Sequence, residues 1–173
     1  MTHLNIEIKA KCSNQKVIRN ILKTLNAEFI GLDHQIDTYF NTKTGRLKLR
    51  EGNIENSIIY YDREDKSEPK ESDVILLKTE TGSPLKEILT KTIGVKAIVD
   101  KKREIYFIGN VKFHIDNVVG LGTFVEIEAI DKNGCIDREK LLEQCQYYLD
   151  LFKINKTDLV SKSYSDLLLD KTP

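Results

Sequence analysis

The sequence predicts an α+β fold, in which about eight mostly antiparallel β-strands form the sheet and a few helices lie at its periphery. Eight segments alternate apolar with polar or charged residues, which is typical of strands that bury one face. Four other segments begin with a helix-capping residue ahead of apolar positions. No repeat or linker divides the 173 residues, so we interpret residues 1–173 as one domain.

The first predicted strand, His3–Cys12, shows the alternation most clearly. Its even positions are apolar and its odd positions carry a polar row, because side chains on a strand change face at every residue. That row consists of Asn5, Glu7, Lys9 and Lys11. The other predicted strands are Gln35–Phe40, Arg46–Glu51, Ser57–Arg63, Val74–Thr79, Ile98–Ile108, Val111–Val118 and Thr123–Ile130.

Helix starts are predicted where a capping residue precedes apolar positions. The predicted caps are Ser13, Ser83 with Pro84 after it, Asp137 and Ser163. Gly94 is predicted to end the second helix. The charged stretch Glu64–Asp73 predicts a loop between two strands.

Composition excludes several classes of protein. Lys plus Arg equals Asp plus Glu, at 27 each, so no overall basic field predicts a nucleic-acid or membrane-surface partner. Cys12, Cys135 and Cys145 form neither a CxxC motif nor an even disulfide framework, which favours a reduced compartment. No apolar run reaches the roughly 18 residues expected of a membrane span. We therefore expect a cytoplasmic protein without nucleic-acid or membrane partners.

The charged rows differ from an ordinary solvated strand face because their charges are segregated by sign. Cations dominate two rows, Arg46–Arg50 and Lys101–Arg103, whereas carboxylates dominate Glu126–Glu128. A single alternating strand most often turns its charged row to water. The segregation instead favours a closed barrel whose polar bore has a cationic wall and an acidic wall. Sequence alone leaves both arrangements open.

A bore of this kind suits a triphosphate. Lys and Arg hold phosphate oxygens, and Arg does so with two parallel hydrogen bonds. Carboxylates would repel the ligand unless a hard divalent cation lies between them. Mg²⁺ and Mn²⁺ both prefer such oxygen ligands, so we expect one of them as a cofactor.

An ordered set of motifs over nearly the whole chain resembles the CYTH superfamily of triphosphate tunnel metalloenzymes, and within it the class IV adenylyl cyclases. The motifs are IEIKAK at Ile6–Lys11, DTYF at Asp37–Phe40, LKLRE at Leu47–Glu51, IYYDRED with PKESD at Ile59–Asp73, DKKREIYF at Asp100–Phe107, HIDNVVGLGTFVEIEA at His114–Ala129 and KSYSDLL at Lys162–Leu168. The resemblance implies an eight-stranded antiparallel closed barrel whose lumen binds a triphosphate.

Residue roles carried over from the family are expectations. Catalytic, phosphate-holding roles are implied for Lys9, Arg63, Lys101 and Arg103. Substrate contacts are implied for Lys11, Tyr39, Lys48, Arg50 and His114, and metal ligation for Glu7, Asp116, Glu126 and Glu128. The stretch Glu64–Asp73 would act as a lid. Asn5 replaces the first glutamate of the family's ExExK motif, which removes one charge from the expected metal site.

The resemblance implies a class IV cyclase-like reaction, in which ATP gives cyclic AMP and pyrophosphate. A triphosphatase acting on thiamine triphosphate or inorganic triphosphate is the alternative, and a non-catalytic triphosphate-binding module is a third. Relatives of the cyclase type also suggest a homodimer.

Overall fold

The computed structural model describes residues 2–62 and 69–171. Eight antiparallel strands close into a barrel, which is the architecture that the family resemblance implies. Their order around the barrel is β1-β5-β4-β3-β2-β6-β7-β8. The strands are β1 Thr2–Lys11, β2 Glu28–Phe40, β3 Arg46–Gly52, β4 Ser57–Asp62, β5 Lys70–Lys78, β6 Val95–Ile108, β7 Val111–Val118 and β8 Gly122–Asp131. The helices are α1 Gln15–Thr24, α2 Leu85–Ile93, α3 Arg138–Leu151 and α4 Tyr164–Leu169, with a 3₁₀ turn at Lys156–Asp158.

The predicted helix caps agree with the structure at two of the four places, Asp137 and Ser163. The prediction of Ser83 as a cap is wrong by one residue, since Pro84 occupies the cap position of α2. Ser163 caps α4, because its hydroxyl oxygen accepts a hydrogen bond from the Asp166 amide. The prediction of Ser13 as a cap is wrong, since Asn14 occupies that position and makes no capping side-chain bond. Across the described parts of the chain, every helix is too short or too polar to cross a membrane.

The larger apolar cluster of the described residues lies outside the barrel, between its wall and two helices, and a smaller one around Phe124 and Tyr164 fills the covered end of the bore. Phe113 and Ile127 are fully buried on the outer faces of β7 and β8, and they pack with Leu22 of α1 and Leu141 of α3. An apolar face must be buried against a partner, and α1 and α3 provide that partner here. The charged rows on the opposite faces therefore point into the bore.

The predicted loop Glu64–Asp73 is partly wrong, because Lys70 to Asp73 belong to β5. Alternation continues through this stretch: Lys70 and Ser72 are buried, whereas Glu71 and Asp73 are exposed. A buried lysine is tolerated here because its ammonium donates to the carbonyls of Val160 at 3.0 Å and Ser161 at 2.8 Å. The predicted catalytic residue Arg63 and residues 64–68 of the predicted lid lie outside the described residues.

One end of the barrel is covered by the chain that follows α3. The Val160 amide donates to the Lys9 carbonyl at 2.8 Å, and Leu159 forms a bridge with Ala10. Tyr164 then enters the bore and packs edge-on against Phe124. The opposite end, which we call the mouth, carries the connection 53–56 between β3 and β4.

Candidate active site

A cavity of about 640 Å³ occupies the bore. Its size lies within the range of about 300–1,000 Å³ typical of small-molecule sites. Ten of the predicted site residues line it: Glu7, Lys9, Tyr39, Lys48, Arg50, Lys101, Arg103, His114, Glu126 and Glu128. Lys11 is exposed at the end of β1, and neither Lys11 nor Asp116 is among the lining residues.

Asp37 is the centre of the cationic wall. Its carboxylate accepts two hydrogen bonds from Arg50, at 2.9 and 3.0 Å, and a third from Lys101 at 2.6 Å. Lys48 lies 3.1 Å from the same carboxylate. Burial alone would raise the pKa of Asp37, but the three cations hold it well below its ordinary value. The cations of this wall are therefore gathered around one internal anion.

Lys101 differs from the other cations of this wall because its charge is easily lost. It is 0% exposed, and burial lowers the pKa of Lys101 to about 7 even though Asp37 favours the ammonium form. By contrast, Asp37 outweighs burial at Arg50 and raises the pKa of that guanidinium. An added anion in the cavity would favour the charged form of Lys101.

Glu126 is the centre of the acidic wall. Its two oxygens contact Lys9 at 3.1 Å, Arg103 at 2.7 Å and the His114 Nδ1 at 3.0 Å. Burial would raise the pKa of Glu126, but Arg103 and Lys9 keep it well below its ordinary value. Burial, assisted by Arg103, lowers the pKa of His114, so the imidazole is favoured in its neutral form.

Asp116 lies behind this wall and anchors Arg103. The carboxylate accepts two hydrogen bonds from that guanidinium, at 2.7 and 2.5 Å, and one from the Tyr164 hydroxyl at 2.7 Å. The Tyr164 ring in turn lies 3.9 Å from the Lys9 ammonium, within cation–π distance. Asp116 therefore positions Arg103, a candidate phosphate-binding residue. This role differs from the metal ligation that the resemblance implies for Asp116.

His114, Glu126 and Glu128 offer ligand atoms that all lie within 4.8 Å of one another. Among the described residues, His114 Nε2 and Asn5 Oδ1 are buried atoms without a hydrogen-bond partner. Two carboxylates, an imidazole and a free amide oxygen are suitable ligands for a divalent cation such as Mn²⁺, and the carboxylates also suit Mg²⁺. The residues present therefore fit the expected metal, and Glu7 lines the same cavity.

Several residues of the site were not predicted from sequence. Asp37 lies within the DTYF motif at Asp37–Phe40. Strand alternation puts it on the same inner face as Tyr39, so this spacing could have identified Asp37 as a site residue. The Tyr164 motif indicates a helix start but not that the ring enters the bore. Glu55 and Lys112 meet across the mouth, and the position of Glu55 in a connection gives no periodic signal.

Comparison with known proteins identifies the family. The CYTH domain model matches residues 3–160. The chain belongs to the CYTH domain family. This confirms the resemblance, and the closed barrel with its polar bore agrees with the triphosphate tunnel fold.

Three known proteins are similar to this chain. A protein of Methanocaldococcus jannaschii, provisionally named an adenylate cyclase, is 29% identical over 95% of this chain and 98% of its own. The structure of PH1012 from Pyrococcus horikoshii OT3 has a TM-score of 0.81 and 26% identity, covering 94% of this chain and 98% of its own. The Hippeastrum protein HpAC1, provisionally named an adenylyl cyclase and described as having a dominant triphosphatase activity, has a TM-score of 0.61 and 11% identity over 96% and 94% of the two chains. At that identity the last comparison shows the fold alone.

Proposed function

We propose that this CYTH protein is a divalent-metal-dependent enzyme that acts on a nucleoside or organic triphosphate, and that it converts ATP to cyclic AMP and pyrophosphate. One observation carries the proposal: five cations that line the cavity of a closed barrel gather around Asp37 and Glu126, and Glu126 belongs to a group that fits a metal. The cations are Lys9, Lys48, Arg50, Lys101 and Arg103.

The ion pairs of the bore support a role in binding rather than in stability alone. Buried ion pairs gain little net stability because desolvation offsets their attraction. A bore filled with apolar side chains would be the simpler structural solution. Preorganised cations around Asp37 and Glu126 are instead suited to exchange part of their contacts for phosphate oxygens.

In the cyclase reaction the ribose 3′ hydroxyl attacks the α-phosphorus of ATP and loses its proton to water. The bond between that phosphorus and the oxygen bridging to the β-phosphate breaks, and pyrophosphate leaves with the electron pair. Arg50 and Arg103, oriented by Asp37 and Asp116, would donate their remaining N–H groups to the phosphate oxygens. A divalent cation at His114, Glu126 and Glu128 would neutralise charge that develops on those oxygens. Preference for the cyclase is supported by the provisional name of the archaeal relative.

A triphosphatase is the second candidate, and the pair of His114 and Glu126 favours it. The imidazole Nε2 is buried without a partner among the described residues, and burial favours its neutral form. A neutral imidazole beside a carboxylate can orient a water molecule for attack on the terminal phosphorus. This reaction would release ADP and phosphate from ATP.

Incubation of the purified protein with ATP and Mg²⁺ or Mn²⁺ tests the proposal. Cyclic AMP with pyrophosphate supports the cyclase, whereas ADP with phosphate supports the triphosphatase. Binding without turnover would indicate a non-catalytic triphosphate-binding module.

Glu126→Gln should abolish the activity while the protein stays folded, and Glu104→Gln is the control because Glu104 pairs with Arg19 on the outer face. Failure of the protein to bind any triphosphate would contradict the proposal.

A further inference from the structure

Glu55 places a carboxylate at the mouth of the bore, where it contacts two cations. One of its oxygens accepts hydrogen bonds from Arg50 at 3.0 Å and from Gln35 at 3.1 Å. The other oxygen accepts a hydrogen bond from the Lys112 ammonium. Glu55 therefore bridges β3 and β7, which lie on different sides of the barrel.

Backbone hydrogen bonds fix the position of Glu55. The buried Asp33 carboxylate accepts the amide of Ile54 at 2.9 Å and the amide of Glu55 at 3.0 Å. The Asn56 side chain both donates to and accepts from the backbone of Gly52. A Cβ at Gly52 would lie 2.7 Å from an Asp33 oxygen, so this close approach requires glycine. The connection 53–56 is thus built to hold Glu55 over the bore.

At the level of Glu55, near the mouth, this carboxylate neutralises the positive charge of the bore lining. Lys112 lies two residues before His114 on β7, about 7 Å nearer the mouth. Burial would raise the pKa of Glu55, but Lys112 and Arg50 keep it well below its ordinary value, so the carboxylate remains charged. A phosphate group that reached Lys112 would meet this carboxylate.

Apolar side chains line the same end of the cavity. Ile54, Phe107 and Ile130 all contribute to its wall. The Phe107 ring also lies 5.7 Å from the Lys112 ammonium. Lys78 and Lys132 also line the cavity, but both are exposed to solvent. An uncharged ring can pack against the apolar surface, whereas another phosphate beside Glu55 would lose hydration and meet only a cation that this carboxylate already pairs.

We propose that Glu55 is a specificity-determining residue that excludes additional phosphate groups from the mouth, so that the bore selects triphosphates esterified to an organic group over longer inorganic polyphosphates. This inference rests on the proposed triphosphate site and names its substrate class. The inner cations hold three phosphates, and the neutralised, partly apolar mouth receives the organic group.

Isothermal titration of the full chain with inorganic tripolyphosphate and linear tetrapolyphosphate tests the inference. Like charges repel strongly at close range near a protein surface, so loss of the Glu55 charge should be readily measurable. Glu55→Gln should strengthen tetrapolyphosphate binding by about tenfold or more relative to tripolyphosphate. Glu51→Gln is the matched control, because Glu51 pairs with Lys86 away from the cavity lining and should leave the ratio unchanged.

The outcomes separate the two proposals. If the unaltered protein binds neither polyphosphate nor ATP, the triphosphate site is wrong and this inference falls with it. If it binds tripolyphosphate but Glu55→Gln leaves the ratio of the two affinities unchanged or lowers it, only the role of Glu55 is wrong. Glu55→Ala provides a second variant, and thermal unfolding of each variant checks that it is folded.

Discussion

The two faces of β7 have different roles. On the outer face, Phe113 packs against Tyr148 and Phe152 of the α3 region, and it is 0% exposed. On the inner face of the same strand, Lys112 contacts the Glu55 carboxylate at the mouth, and His114 contacts the Glu126 carboxylate of the neighbouring strand β8. One strand thus supplies the apolar core and the polar cavity, which places the stabilising surface outside the barrel and leaves its inside for a ligand.

This difference has an energetic consequence. Burial of apolar area stabilises by roughly 25 cal/mol per Å², so the outer face contributes directly to folding. The inner ion pairs must first overcome the desolvation of their charges, which leaves a small net contribution. We therefore expect outer-face substitutions to lower stability, and inner-face substitutions to lower ligand binding.

The largest effect is expected for Phe113→Ala. The substitution removes a fully buried ring from the cluster between the barrel and α3, and such changes cost about 3–5 kcal/mol of the free energy of unfolding. Urea unfolding followed by circular dichroism measures the loss.

Phe29→Ala is the control for this substitution, because Phe29 is 54% exposed and contacts Tyr106 on the outside of β2. Its loss of unfolding free energy should be clearly smaller. Equal losses for the two variants would contradict a core located between β7 and α3.

An intermediate effect, on binding, is expected for Lys101→Met. The variant should weaken tripolyphosphate binding by about 1.5–3 kcal/mol, as expected for the loss of a hydrogen bond to a charged group. Asp37 keeps its two bonds from Arg50, so no carboxylate is left without a partner. The free energy of unfolding at pH 7 should therefore stay within about 1 kcal/mol of the original or rise.

Lys102→Met is the matched control, since Lys102 is exposed on the opposite face of the same strand. It should leave the dissociation constant unchanged. If Lys101→Met unfolds more easily but binds tripolyphosphate as tightly as before, the inner face serves stability rather than ligand binding, which would contradict the prediction.

Sequence periodicity predicts much of this arrangement. Alternation placed Lys101 with Arg103, and Glu126 with Glu128, on shared faces, because two-residue spacing is a local property of strands. The partners of these residues are not local. Lys101 meets Asp37 from 64 positions away, and Tyr164 meets Asp116 from 48 positions away. Strand order and closure determine such pairs, and neither is encoded in the spacing of any one segment.

The smallest effect is a dependence of binding on pH that originates at Lys101. Burial lowers the pKa of Lys101 to about 7, so near pH 8 much of the ligand-free protein has a neutral amine there. A bound triphosphate favours the ammonium form, and binding should therefore take up as much as one proton above pH 7 and progressively less below it. A phosphate loses its last proton near pH 6, so the ligand itself does not titrate above pH 7. Across that upper range the affinity should therefore fall by at most about tenfold per pH unit. Calorimetry at pH 8 in buffers of different ionisation enthalpy measures the uptake. It should disappear in Lys101→Met and persist in Lys102→Met. Equal uptake in both variants would place the titrating group elsewhere.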